Sequence, residues 1–460
     1  MTIPARETDA LRRDLDGPLL LPGEAGYDER LGFNRLLDPH PALVVGARGP
    51  GDVAAAVRFA VAHGLPVAVK GTGHGATLSC DGGVLVTTER MAGVTIDAKA
   101  RTARVGAGTV WRQVVQKAAQ AGLAPLSSSA PGVGAVGYTT GGGLPLMGRT
   151  FGWAADRVRS LQVVTADGTL HRASPVEDAE LHWAVRGGKG NFGVVTELEI
   201  ELVRVMWLFG GALIFPGELA AELLGAYRDW IAAAPEQMSS SIALVRLPGL
   251  PQVPEPLRGR FVVALRVCYV GGADQGAALV APLRAMGERI LDGVGPMPYT
   301  GAWAIHMDPT DPLPSTDTTA VLDELGPATT DALLRAAGRG SQTPLLMVEV
   351  RHLGGALARP PRTPSAVGHR DAAFNLYAVT PVFPGMEMTV AAGLRSLRDT
   401  IAPFDSGKVL LNFLGPGDTD PARVRRAFEP ETYRRLAAIK ALHDPDNLFR
   451  LNHNIPPEGP

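Results

Sequence analysis

The stretch Val67–Ala76, VAVKGTGHGA, constrains this chain more than any other. It follows Pro66 and reads as a short apolar strand that runs straight into a glycine turn. Gly71, Gly73 and Gly75 alternate around it, and it presents one histidine, His74. Glycine tolerates φ > 0 and lets backbone approach a ligand, because no Cβ intervenes. A strand ending in such a turn offers unpaired N–H groups, a concavity suited to phosphate. Taken alone, the segment reads better as an ordinary turn with an ordinary histidine.

The remaining chain decides between these readings. The 460 residues exceed one ordinary core and imply two or three domains. Apolar residues make 45% of the chain and charged residues 20%, with a formal charge of −2 and no basic run. Nucleic acid and anionic membrane surfaces are therefore poor partners. The two cysteines, Cys80 and Cys268, cannot build a disulfide framework, and no His or Cys spacing suits a metal. The N-terminal MTIPARETDALRRDLDG lacks the apolar stretch of a secretory signal, and no window is long enough to span a bilayer. A cytoplasmic protein without a metal is expected.

Asp52–His63 has helical spacing and stops at Gly64, and Val110–Ala121 likewise stops at Gly122. Strands are expected over Pro66–Val69, Gly83–Thr88, Val94–Ile96 and Thr102–Val105, with a hairpin over Leu161–His171 turning at Asp167-Gly168. Mixed strands and helices suit an α+β or α/β domain. Ser127–Gly143, SSSAPGVGAVGYTTGGG, carries no charge and six glycines. It is too apolar for a solvated linker, and its glycine content argues against a helix. A backbone wrapped around a large ligand is favoured over a buried packing segment, because a second such stretch, Gly187–Gly193 (GGKGNFG), follows before the strand Val194–Val203.

Beyond Val205 the composition changes. Strands are expected at Ser240–Leu247, Arg260–Tyr269, Pro344–His352, Asn375–Val379 and Lys408–Phe413. Helices are expected at Leu219–Ala234, Gln275–Ala285, Thr330–Ala337 and Glu387–Thr400. This spacing suggests one sheet covered by helices on one face. Pro312, Pro314 and Pro327 mark a long loop. After a helix over Glu429–His443, the tail DPDNLFRLNHNI places Asn447, Asn452 and Asn454 beside Leu448, Phe449 and Ile455. Buried asparagine is costly without partners, so this tail either folds onto a polar site or supplies turn caps.

KGTGHGA at 70–76, the SAPGVGAVGYTTGGG segment with GGKGNFGVVT at 187–196, and NLFRLNHNI at 447–455 together resemble the berberine bridge enzyme type of flavin-dependent oxidoreductase, within the vanillyl-alcohol oxidase (PCMH-type) superfamily. The resemblance spans nearly the whole chain. It implies an α+β protein. A PCMH-type FAD-binding domain of two α/β subdomains takes residues 1–206, with its core at about 38–206. A substrate domain with a large antiparallel sheet covered by helices takes 207–414, and a C-terminal segment, 415–460, returns to the FAD domain. FAD would be linked covalently through His74. The backbone of Lys70, Gly71, Thr72, Gly73, Gly75 and Ala76 would hold its pyrophosphate. Ala130, Pro131, Val133, Gly134, Tyr138, Thr139, Gly141, Gly142 and Gly143 would line the cofactor, Gly193 and Val195 would complete the pocket, and Asn452 and Asn454 would close over it.

Two positions depart from the family pattern. Ala130 stands where many relatives carry a second, cysteinyl link, so only His74 can anchor FAD. Leu410 replaces the tyrosine of a late YxN motif, leaving Leu410-Leu411-Asn412 without the usual base. Tyr377 is the leading replacement, against the commoner role of a core aromatic. Glu349 could be a base tuned by Arg351 or half of a structural pair. His306 could act as acid or base or pair with Asp308. Tyr138, beside the flavin segment, is a further candidate.

The activity implied is hydride removal from an alcohol- or amine-type carbon of a small natural product or sugar-like substrate, with dioxygen returning as hydrogen peroxide. The alternative is a flavin-containing protein that sequesters a small molecule, or a cyclase without net oxidation. A nicotinamide dehydrogenase is also conceivable, since Gly132, Gly134 and Gly137 spell G-x-G-x-x-G with Asp156 beyond. The expected strand before and helix after these glycines are missing from the pattern. Oligomeric state is left open.

Overall fold

The computed structural model describes residues 3–75 and 78–459. Three sheets organise it. The first is four-stranded in the order β1 (Leu19–Leu20), β2 (Leu43–Gly46), β4 (Val84–Thr87), β3 (Val67–Lys70). β2, β3 and β4 run parallel. The fully buried LVVG and VLVT strands read as continuous apolar runs because helix α2 (Pro50–Ala62) covers one face with Val53, Ala56 and Val57. α1 (Ala5–Asp14) packs on α2.

The second sheet is antiparallel, in the order β5 (Val94–Asp97), β6 (Thr102–Gly106), β9 (Val194–Glu201), β7 (Val158–Val164), β8 (Leu170–Ala173). Its core gathers Trp111 from α3 (Trp111–Ala119), Leu181 and Ala184 from α6 (Ala179–Gly188), and Leu436 from the late helix α12 (Pro430–His443). Two short helices, α4 (Ala135–Thr140) and α5 (Gly148–Phe151), precede β7. The expectation that 127–143 forms no helix is corrected by α4. Gly134 and Gly141 flank its two turns, and only Gly137 lies within. No strand precedes it, and Asp156 is paired with Arg370 at 2.7 Å, so the dinucleotide fingerprint does not form.

The third sheet is eight-stranded and antiparallel, with all strands between residues 207 and 381. Its order is β13 (Leu291–Asp292), β10 (Trp207–Pro216), β12 (Phe261–Tyr269), β11 (Met238–Arg246), β16 (Met347–His352), β17 (Phe374–Pro381), β15 (Ser315–Leu322), and β14 (Gly295–Pro298) also pairs with β10. Helices α7 (Ala220–Ala232), α8 (Ala273–Arg284), α9 (Pro327–Ala337) and α10 (Glu387–Ile401) bury one face against Leu213, Leu244, Leu265, Val350 and Leu376. β10 is absent from the sequence expectations because WLFGGALIFP is apolar almost throughout and shows no alternation.

Two expectations fail here. The loop at 312–327 contains β15, since Pro312, Pro314 and Pro327 flank the β-branched STDTTAVL without interrupting it. The strand expected at Lys408–Phe413 is an irregular crossing that ends in a 3₁₀ turn over Leu411–Phe413 (a short α11, Pro421–Arg425, follows). Leu410 and Leu411 are both buried, on opposite sides of a segment wedged between two packed bodies, and that burial mimics a strand pattern.

The tail packs against the first sheet. Leu448 and Phe449 enter the core of the first sheet, and Val67 N–H donates to Leu448 O at 3.1 Å. The Asp444 carboxylate accepts from Leu448 N (2.6 Å), Phe449 N (2.9 Å) and Lys440 Nζ (2.5 Å), all buried. An isolated buried charge would be prohibitive, and this one is paired and fully hydrogen-bonded. Lys440 also donates to Asn191 O at 2.7 Å, tying the tail to the GGKGNFG turn.

Candidate active site

A cleft of about 1220 Å³ lies between the first sheet, the two glycine segments, the free face of the large sheet and the tail. Ordinary ligand pockets run to about 300–1,000 Å³, so this one has room for a dinucleotide and a second molecule. Among the described residues no cluster of His, Cys, Asp and Glu could hold a metal ion.

His74 stands in its wall. The imidazole stacks on Phe33, with centroids 3.8 Å apart and planes 12° from parallel. Its Nδ1 lies 2.8 Å from Thr72 Oγ1, which also accepts the Gly134 N–H at 3.3 Å. One hydroxyl therefore joins the two glycine segments and orients the ring. Burial lowers the His74 pKa to about 4, so the imidazole is neutral at pH 7. The turn holds this shape through Gly73, at φ +72°, where a Cβ would come within 2.4 Å of Gly32 Cα. Phe33 N donates to Thr72 O at 2.9 Å across that close approach.

The residues fit a dinucleotide by their own chemistry. No acceptor among the described residues takes the N–H of Gly71, Thr72, Gly73 or His74, and all four residues line the cleft. Lys70 stands beside them, its Nζ on Glu89 at 2.5 Å. Asn452 Oδ1 and Tyr138 OH, on two residues that line the cleft, are buried without protein partners. Such unmet donors and acceptors are costly unless a bound group meets them.

Of the residues expected to touch the cofactor, Lys70 to Gly75, Ala130, Val133, Gly134, Tyr138, Gly193, Val195 and Asn452 line the cleft. Pro131, Thr139, Gly141, Gly142, Gly143 and Asn454 lie outside the lining. Gly142 and Gly143 instead accommodate Trp153, Val367 and Ala154, and Thr139 is buried. Ala76 falls outside the described residues.

The candidate proton-handling groups separate clearly. Tyr377 OH, at the cleft wall, donates to Asp317 Oδ2 at 3.1 Å. Burial raises Asp317 to about 7, and its Oδ1 has no partner. Burial, then the Asp317 charge, pushes the Tyr377 phenol well above its usual value. Lys189 lines the same cleft and donates to Leu411 O (3.1 Å) and His453 Nδ1 (3.2 Å). Burial lowers it to about 8.

Glu349 lies next to Tyr377 in the β16–β17 register and does not reach the cleft. It is fully buried and accepts from Arg266 Nη1 (2.6 Å), Ser241 Oγ (2.7 Å) and Arg351 Nε (2.8 Å). Burial alone would raise its pKa, but the Arg351 and Arg266 guanidiniums hold it well below the usual range. A carboxylate so satisfied is a poor base, and the geometry is that of a structural ion-pair network. It aims Arg351 into the cleft, beside the Phe413 ring. His306 does not pair with Asp308. Its Nε2 faces Glu349 Oε1 at 3.5 Å, burial lowers its pKa, and Asp308 accepts from Ser129 Oγ at 2.5 Å. Tyr138 rests edge-on against Trp111 at 5.5 Å, and its carbonyl accepts from Asn412 Nδ2 at 2.8 Å.

The sequence reading passed over Asp317, Lys189 and Phe33. Aspartate is depleted in strands, so Asp317 within STDTTAVL was a usable signal. Lys189 sits inside the GGKGNFG turn that drew attention for its glycines. Nothing local marks Phe33.

Residues 41–174 match the FAD binding domain model and residues 411–456 the berberine and berberine-like model. Over 469 residues the chain is 29% identical to (R)-6-hydroxynicotine oxidase of Paenarthrobacter nicotinovorans, covering 96% of this chain and 98% of that protein. The chain is an FAD-linked oxidoreductase with an FAD binding domain and a berberine-like C-terminal segment. Its fold is also seen in the crystal structure of 6-hydroxy-D-nicotine oxidase from Arthrobacter nicotinovorans, with a TM-score of 0.85, 27% identity and coverage of 96% and 98% of the two chains. Xylooligosaccharide oxidase from Myceliophthora thermophila shares the fold, with a TM-score of 0.85, 21% identity and coverage of 99% and 100%. In this FAD-linked oxidoreductase, Asn412 is held against α4 by its bond to the Tyr138 carbonyl.

Proposed function

We propose that this FAD-linked enzyme is an oxidase that removes a hydride from an alcohol- or amine-type carbon of a small molecule. The observation that carries the reading is the Tyr377–Asp317 hydrogen bond at 3.1 Å, on the wall of the cleft that also holds His74. FAD, held by the residues of this cleft, would supply the electron sink for that hydride, with dioxygen as the final two-electron acceptor and hydrogen peroxide as its product.

The chain's own residues do the rest. His74 makes the single covalent link to FAD, favoured by a neutral, stacked and hydrogen-bonded ring. The amides of Gly71 to His74 hold the pyrophosphate. Tyr377 takes the substrate O–H or N–H proton as its own phenolic proton moves to Asp317 Oδ2, so no isolated phenolate forms in the buried site. Lys189, a nearby charge on the same wall, favours the ionised form of Asp317 before substrate binds. Arg351 orients the substrate's polar group. Residues 1–206, 207–414 and 415–460 are the corresponding proposed domains.

The test is acid precipitation of the purified protein, followed by anaerobic reduction with candidate substrates. A yellow pellet that becomes colourless in His74→Ala is expected, with flavin bleaching by substrate and peroxide on admission of air. A colourless pellet from folded, flavin-loaded wild type rules out the link. Tight substrate binding that never bleaches the flavin rules out the oxidase.

A further inference from the structure

An antiparallel sheet with one face on a core ordinarily turns polar residues outward on the other. At one corner the large sheet does not. Opposite its helix-covered face, Ala212, Ile214, Ala243, Val245, Val262 and Ala264 form a second buried apolar cluster. The β11–β12 connection, residues 247–260, runs over this corner and leaves part of the cleft between.

The strand register turns this face into a ruler. Val262 pairs with Val245, Val245 with Met347, Met347 with Val379, and Val379 with Asp317. All five side chains line the cleft. The apolar part of this row spans three strand spacings, about 14 Å, and ends at the proton-accepting carboxylate. The adjacent row brings Tyr377 beside Glu349.

The connection above is braced. Arg258 donates through Nε to Leu250 O (3.1 Å) and through Nη2 to Pro251 O (3.2 Å) and Val253 O (3.1 Å). That brace holds Leu250 and Val253 over the row, with Gln252 the sole polar side chain that the connection adds to the lining among the described residues. Leu250, 50% exposed, stands at the mouth.

We propose that the substrate has an apolar body, an alkyl or aryl skeleton and not a polyol. It lies along the Val262–Val379 row with its reacting carbon at the Tyr377–Asp317 end. This rests on the oxidase reading and selects its substrate class. Each sugar hydroxyl laid against Val262, Val245 or Met347 would lose water without gaining a partner. Methylenes placed there leave water at no polar cost.

Isothermal titration calorimetry of the purified holoenzyme with n-alkanols, 1-butanol to 1-octanol, and with cellobiose tests it. Affinity should rise about fourfold per added methylene, with an increasingly negative heat-capacity change, while cellobiose gives no heat of binding. Val245→Asp should flatten the series. Leu250→Ser, at a half-exposed position that leaves the core alone, should weaken 1-octanol on the order of fivefold and spare 1-butanol. A flat alkanol series in yellow, folded wild type, or cellobiose binding unaffected by Val245→Asp, overturns the proposal. Colourless protein that keeps the methylene slope supports the apolar row and counts against the oxidase reading alone.

Discussion

Asp317 carries the sharpest prediction at the scale of single residues. Burial raises its pKa to about 7, so below that pH the carboxyl holds a proton and cannot take the one Tyr377 passes on. Above it the carboxylate accepts. The rate of flavin reduction at saturating substrate should therefore climb as pH rises through about 7, the apparent value belonging to the coupled Asp317, Tyr377 and Lys189 group. Asp317→Asn should remove the rise, and Tyr377→Phe should lower the rate on the order of a hundredfold. Stopped-flow reduction from pH 5.5 to 9 reads both, and a wild-type profile flat across neutrality sinks the assignment. Residue types were legible in the sequence where a motif repeated a backbone need, as at His74 and its glycines. The acceptor was hidden because Asp317 meets Tyr377 only through a strand pairing 60 residues apart.

Among elements, the junction between α4 and the Leu411–Phe413 turn is one of the tightest near the cleft. A Cβ on Gly141 would lie 1.8 Å from Asn412 Oδ1 and 2.8 Å from Lys189 Cε. Gly141→Ala must displace Asn412 from the Tyr138 carbonyl and disturb Lys189, costing about 1–3 kcal/mol. Gly190→Ala, where a Cβ meets open space, should stay within about 0.5 kcal/mol. Urea unfolding of the two variants checks this, and equal midpoints would refute it. Most helices and sheet strands were readable from period and punctuation: α2 and α3 each end at a glycine, and the β7–β8 hairpin turns at Asp167-Gly168. The misreadings fall where burial breaks period. β10 is apolar on both faces because a core lies on one side and the cleft on the other.

On the scale of the whole molecule, buried histidines set the acid limit. Burial holds His182 at about 4 and His352 at about 3, against about 6.5 in an unfolded chain. Between pH 6.5 and 4 the unfolded chain binds protons that the folded one refuses, so stability falls on acidification through that window. His182, 1% exposed, contributes a loss of roughly 2 kcal/mol by pH 5. Asp317 works in the opposite sense, because its raised pKa favours the folded state in acid. His182→Gln isolates the histidine term: its urea midpoint should drop less between pH 7 and 5 than that of the wild type, and parallel slopes would exclude the effect.

The pinned tail has a consequence for synthesis. Residues 30–34 open the cleft and residues 449–453 complete it, locked by the buried Lys440–Asp444 pair and by Asn191, whose Oδ1 accepts the Ile455 N–H at 2.8 Å. The cores of both early sheets take apolar side chains from the end of the chain, Leu448 and Phe449 in the first and Leu436 and Ile455 in the second, so neither packs to completion until residue 455 has left the exit tunnel. A message truncated late in its reading frame should therefore yield a protein with two open cores as well as an unfinished cleft.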